Sequence, residues 1–259
     1  MSTTTETARR PRDLTIDSKL TVARARTQAV VIWAWIGAAL LAFEGYTWLT
    51  WLLGPNFKAT NPGPSPISSA TLTGYFWLQI AVAALALAGA WFWIVRPWIK
   101  TGQMTTDGMM AISCWSLLFY DCSMNYTTTT VLYNSYMFNR GSWTSGSWLG
   151  WISPNGNLLP EPLLITGPGY LCLVFSQVLL VCWMLRKAKA RWPSLSPAAI
   201  LGLLILGMTI VDSCVEIPLL RTGLYAYPGG IRSLTLFAGH TYQFPLTEGF
   251  TFGGLGVGA

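Results

Sequence analysis

Residues Ile80–Val95 read IAVAALALAGAWFWIV, a run without a charged side chain. Extended outward to Leu72 and Ile99, the apolar stretch is long enough to cross a hydrocarbon core of about 30 Å as a helix. Because lipid offers no partner to a bare peptide group, a segment of this kind must close its hydrogen bonds within itself. Four further runs follow the same pattern, at roughly 29–54, 107–125, 167–185 and 197–220, the one at 107–125 being shorter and more polar. A sixth apolar segment begins near Pro245 as PLTEGFTFGGLGVGA. It reads either as a truncated span or as a short re-entrant piece that protein or a water-filled cavity must shield. The expected fold class is therefore all-α, a polytopic transmembrane helix bundle of five visible spans and a partial sixth.

Composition agrees. Hydrophobic residues make up 52% of the 259 and charged residues 10%, where a soluble domain carries about 25% charged. The net charge of +6 does not form one basic face for nucleic acid, since the cations fall in short clusters beside apolar runs. Topology accounts for them instead. Twelve of the 16 Lys and Arg residues lie before the first run, at the end of the second (Arg96) or just beyond it (Lys100), or between the fourth and fifth; Lys58, Arg140, Arg221 and Arg232 occupy the alternate segments. By the preference of cationic loops for the cytoplasmic side, the N-terminus is inside.

Residues 1–28 are polar and basic, without the short apolar core of a signal peptide, and read as a cytosolic tail. The remainder, 29–259, reads as one transmembrane domain carrying a long outer loop at 126–166. That loop (NYTTTTVLYNSYMFNRGSWTSGSWLGW from Asn125) is rich in aromatic, Asn, Gly and Thr residues. It suits either an interfacial aromatic belt or a lid over a substrate. The five cysteines show no CxxC or metal-ligand spacing and read as small packing residues.

Carboxyl groups inside a membrane are costly and mark a function or a partner. Of the ten acidic residues, Glu6, Asp13 and Asp17 belong to the tail, Asp107 reads as a helix cap, and Glu161 lies in the outer loop. Glu44, Asp121, Asp212, Glu216 and Glu248 remain. At a rise of 1.5 Å per residue, Glu44, Asp121 and Asp212 each lie roughly 21–22 Å from the inner start of their runs. Glu216 is one helical turn beyond Asp212 on the same face, and Glu248 enters from the outer side after Pro245. Asn125 repeats that four-residue spacing from Asp121. The bland account makes these groups interhelical glue, bonded to each other and to Asn125, Gln79, Ser123 or Ser213. A shared polar cavity opening outward better explains acids stacked at one depth.

Clustered carboxyls cannot all ionise, which sets an acid beside a base. Such a pair can protonate a departing hydroxyl or an alkene and steady the resulting cation, with aromatic faces from Trp48, Tyr120, Tyr126 or Trp143 assisting. His240, the single histidine, sits in AGHTYQFP and could relay protons. Arg140 in FNRGSW is a candidate counter-ion. No phosphate loop, nucleophile elbow or zinc-type histidine cluster is present, so the reading calls for no cofactor and no metal.

FYDCSMNY (119–126), YNSYMFNRGSW (133–143), RWPSLSP (191–197), VDSCVEIP (211–218) and AGHTYQFPLTE (238–248) together resemble the avermectin-type spirocyclase (AveC-like) membrane proteins of actinobacteria. The resemblance implies spiroketal formation from a dihydroxy-ketone polyketide at the plasma membrane. It points to Asp121, Asn125, Asn134, Asn139, Asp212, Glu216 and His240. With it, Asp212, Glu216, Asp121 and Glu44 are the expected catalytic groups, and Tyr120, Asn125, Asn134, Asn139, Arg140, Trp143, His240 and Glu248 the expected substrate contacts. The partners implied are a lipophilic small molecule and the lipid bilayer, with no nucleic acid. Rival readings keep the carboxylates but change the role: a terpene cyclase, a proton-coupled transporter, or a non-catalytic scaffold. The charge asymmetry has a direct test. With native cysteines replaced by alanine, a thiol reagent that cannot cross the membrane should label Lys58→Cys in intact cells and spare Lys189→Cys; the opposite pattern would invert the topology.

Overall fold

A computed structural model describes residues 11–144 and 150–258, with side chains from residue 28 onward. The first part of the basic tail, 1–10, and the segment 145–149 of the outer loop lie outside the described residues. Helix makes up 66% of the structure, which places it in the all-α class. By contacts the chain forms two units, Met1–Leu49 and Thr50–Ala259. The first is helix α1, Pro11–Leu52, up to its last turn, and it contains Glu44. The helix starts well before the apolar run, so the end of the polar tail continues the same helix.

The second unit holds the remaining elements. Helix α2 runs over Ser69–Thr101 and is capped by the Ser68 hydroxyl, which accepts from Thr71 N; it ends at Gly102, whose φ of 69° suits glycine. Helix α3 spans Thr106–Thr128. Its N-cap is Thr105, which accepts from the Gly108 amide, rather than Asp107. A hydroxyl one residue earlier satisfies the open amide, leaving Asp107 in the first turn, where its charge meets the positive end of the helix dipole. Helix α4 covers Thr166–Arg191 and α5 covers Pro197–Arg221. Ser196 caps α5 through Ala199 N, and Pro197 follows at its first position. The chain ends in α6, made of Leu246–Glu248 and a π-helical stretch Gly249–Val257.

Four helical segments, Gln28–Leu52, α2, α4 and α5, are long and apolar enough to cross a membrane. On α2 and α5 long apolar side chains such as Leu87 and Leu206 are 74% and 58% exposed. Lipid is the environment that such a surface fits.

Within the second unit, α3 packs on the middle of α2 and on the start of α4, α4 packs along α5, and α6 lies against α5. The last contact is very close because α6 presents glycine. A Cβ on Gly253 would lie 2.3 Å from Asp212 Cβ, and one on Gly254 would lie 2.5 Å from Thr209 Oγ1. Any side chain there would push α6 off the acid-bearing face of α5.

The segments that connect the helices, read as outer in the sequence, close over one end of them. After α3, Leu132–Tyr133 (β1) pairs antiparallel with Tyr225–Ala226 (β2), and Thr235–Leu236 (β3) pairs with Phe244–Pro245 (β4). Gly223, at φ 72°, makes the turn from α5 into β2. The outer loop is fastened by its amide side chains. Asn139 Oδ1 accepts from Thr60 N at 2.9 Å and Gly141 N at 3.3 Å. Its Nδ2 donates to the Ser135 and Met137 carbonyls, each at 3.0 Å. Trp143, 1% exposed, is clamped between Trp51, Phe119 and Tyr126, and its Nε1 donates to Ser123 Oγ at 3.0 Å. These bonds give an irregular loop the pairing that a buried backbone requires. Asn139→Ala strands several of those groups and should cost about 3 kcal/mol, read as a lower denaturation midpoint in detergent; an unchanged midpoint would show the loop is held by packing instead.

Candidate active site

A cavity of about 160 Å³ opens between α3, α4, α5 and α6 under the outer segments. Asp121 from α3, Asp212 and Glu216 from α5, and Glu248 from α6 all line it. The four groups are close enough to interact electrostatically: Glu248 with Asp212, and Asp121 with both Glu216 and Glu248.

Local structure aims each of them. The four-residue spacing sets Asp212 and Glu216 on one face of α5. Pro218, inside α5, has no N–H to give the carbonyl four residues back, which loosens the helix next to Glu216. A π-helical stretch, Tyr170–Val174, interrupts α4 where that helix borders the cavity. Tyr170, Leu173 and Val174 all reach the wall from it, in keeping with the frequent placement of π-turns at functional sites.

Each carboxyl has different company. The Tyr227 hydroxyl donates to Glu216 Oε2, and Tyr225 reaches the same carboxyl. Burial, then the charge of Glu216, pushes both phenols well above their ordinary range, so they remain O–H donors. Asp121 meets the side chain of Tyr170, and Asp212 that of Gln177. Asp212 is 1% exposed, and its Oδ2 has no hydrogen-bond partner among the described residues.

The other residues expected at the site are placed elsewhere in the second unit. Asn125, buried, accepts from Val131 N at 2.8 Å and sets the chain reversal that delivers Thr130 and Val131 to the wall. Asn134 Nδ2 donates to Tyr75 Oη at 3.1 Å and to the Gly223 carbonyl at 3.0 Å, joining the outer loop to the end of α5. Asn139 and Trp143 hold the loop as described above. Arg140 lies over the rings of Phe57 and Phe138, at 5.7 and 5.1 Å. His240 stacks on Tyr242 at 4.9 Å, and Tyr120 meets Phe119 edge-on at 5.1 Å. None of these seven is on the cavity wall. Glu44 belongs to the first unit.

Two groups at the site were not singled out in the sequence. One is the aromatic wall, formed by Tyr133, Tyr170, Tyr225, Tyr227 and Phe252 instead of Trp48, Tyr120, Tyr126 or Trp143. Tyr225 and Tyr227 alternate along an extended segment and so share a face, a pattern visible in LYAYP. Tyr133 faces them because β1 pairs Tyr133 with Tyr225, a long-range choice. The other is Glu161. It is 0% exposed, receives the Tyr126 hydroxyl at 3.4 Å, and interacts with Asp121 across the wall. The bridge between Asn139 and Pro162 draws it inward.

The fold and the site define a helical membrane protein with an acid-lined, aromatic-walled internal cavity. Residues 102–259, more than half of the chain, match the family described as Spirocyclase AveC-like. The chain belongs to that family, and the family's description points to a cyclase-type activity. The match covers α3 to α6 and so every residue of the cavity wall. Neither a curated protein nor a solved structure matches the chain.

Burial pushes the Glu161 carboxyl up to about 7 from 4.5. A folded-state value above the unfolded one means the folded protein holds the proton more tightly, so stability falls as pH rises from about 4.5 to about 7. The loss is about 3 kcal/mol for a shift of this size. Melting curves across that window should flatten in Glu161→Gln relative to the wild type; parallel curves would mean that Glu161 is ionised in the fold.

Proposed function

We propose that this protein is a cofactor-independent cyclase of the plasma membrane, with its N-terminus inside, five crossings and α6 as either a partial sixth span or a re-entrant piece. It closes rings by acid–base catalysis at the carboxyl-lined cavity. The substrate favoured by family membership is a lipophilic dihydroxy-ketone polyketide entering from the bilayer, and the product is a spiroketal. One hydroxyl adds to the ketone to give a hemiketal. Protonation of the hemiketal hydroxyl releases water and leaves an oxocarbenium ion, which the second hydroxyl traps with loss of a proton. The net change is dihydroxy ketone to spiroketal plus one water.

The observation that carries this reading is that Asp121, Asp212, Glu216 and Glu248, from three helices, line one cavity. A scaffold would pair such groups off with no space between them. Asp212, whose Oδ2 has no partner among the described residues, is the acid that hands a proton to the departing hydroxyl. Glu216 accepts from Tyr227 and serves as the base that takes the proton of the trapping hydroxyl. Asp121 is the second acid, and Glu248 adds negative charge facing the cation. General acid or base catalysis is worth about a hundredfold or more per group, so Asp212→Asn and Glu216→Gln should each lower spiroketal formation from a dihydroxy ketone by at least about that factor. Undiminished product from both variants, with wild-type melting curves, would overturn the assignment.

A second reading uses the same acids to protonate an alkene and start terpene cyclisation. The aromatic wall favours it, since ring faces stabilise a migrating carbocation. Product analysis with polyprenyl precursors separates the two.

A further inference from the structure

The charge balance of the cavity is one-sided. Four carboxyl side chains line it, and the described lining residues include no lysine, arginine or histidine. Two arginines of the connecting segments are engaged elsewhere: Arg140 over Phe57 and Phe138, and Arg221 over Phe237 and Tyr242 at 4.8 and 4.4 Å. A buried carboxylate without a counter-charge is costly, yet Asp212 Oδ2 is buried on this wall with no hydrogen-bond partner among the described residues.

Aromatic rings complete the picture. Tyr133 and Tyr225 have ring centroids 5.9 Å apart, and Tyr225 and Tyr227 are 5.8 Å apart at 88°. Rings set at an angle around a shared space offer their negative faces to a positive guest, the arrangement used to hold quaternary ammonium groups. The acids do not converge on a point: among the described residues no group of three or more His, Cys, Asp or Glu side chains could hold a metal ion. Negative charge spread around an aromatic wall suits a bulky, weakly hydrated cation better than a small hard one.

We infer that the cavity is a binding site for an organic ammonium head group, recognised by the Asp212, Glu216 and Glu248 carboxylates together with the Tyr133, Tyr170 and Tyr225 rings. The inference rests on the same cavity as the cyclase reading and gives that reading its recognition chemistry, an ammonium standing where the oxocarbenium charge would develop. It requires no turnover. Amines with an apolar body are therefore the class of inhibitor expected for this protein.

The test uses the full chain in a non-ionic detergent and compares choline with its uncharged carbon isostere, 3,3-dimethylbutan-1-ol, by titration calorimetry. Choline should bind about tenfold or more tightly than the isostere, within the range a desolvated cation–π contact allows. Asp212→Asn or Glu216→Gln should remove most of that preference, while Asp107→Asn, at the inner end of α3, should keep it. If Asp212→Asn lowers the melting temperature, Glu248→Gln and Tyr170→Leu are read in its place. Equal binding of the two probes, no binding of either, or a preference that survives every cavity variant would overturn the inference. Choline preference without ring closure would sink the cyclase reading alone, and ring closure without choline preference would sink this one alone.

Discussion

A carboxyl group held inside a membrane must have polar company, and much of the second unit can be read as the answer to that constraint. Asp121, Asp212, Glu216 and Glu248 come from three helices and share one cavity. The carboxyl of Glu216 is met by phenols, that of Asp121 by Tyr170 and that of Asp212 by Gln177. Moving any one helix away would expose several ionisable groups to lipid at once. The cavity and the packing of α3 to α6 therefore stand or fall together.

Close helix approach makes this possible. Gly253 and Gly254 let α6 lie directly on Asp212 and Thr209, so Glu248 and Phe252 reach the wall. Irregular helix geometry contributes in two places: Tyr170–Val174 in α4 and Gly249–Val257 in α6 are both π-helical, and both supply wall residues. Small residues and widened turns bring backbone and acid close without a clash.

The outer segments supply what helices cannot. The β1–β2 pairing sets Tyr133 beside Tyr225, and the amides Asn125, Asn134 and Asn139 fasten the loop by backbone bonds. This gives the motif asparagines a positioning role: they shape the wall without being part of it. Trp143 acts likewise, as the centre of an aromatic cluster that anchors the loop to α3. Within this loop Tyr133 faces the cavity, while Trp151 is 70% exposed.

By itself the sequence determined the helical class, the helix positions and the placing of Asp212 and Glu216 on one helix face. Apolar run length and four-residue spacing are local properties, and Ile80–Val95 or the Asp212 and Glu216 pair carries them without reference to the rest of the chain. Resemblance in the segments from FYDCSMNY to AGHTYQFPLTE was enough to indicate the family. Only the tertiary structure decided which aromatic residues face the acids, that Glu161 is buried beside Asp121, and that Arg140 and His240 lie off the wall. Those outcomes depend on contacts between residues far apart in the chain, such as Tyr133 with Tyr225 and Asn139 with Pro162. A loop residue's burial is set by which distant segment covers it, and local spacing carries no record of that.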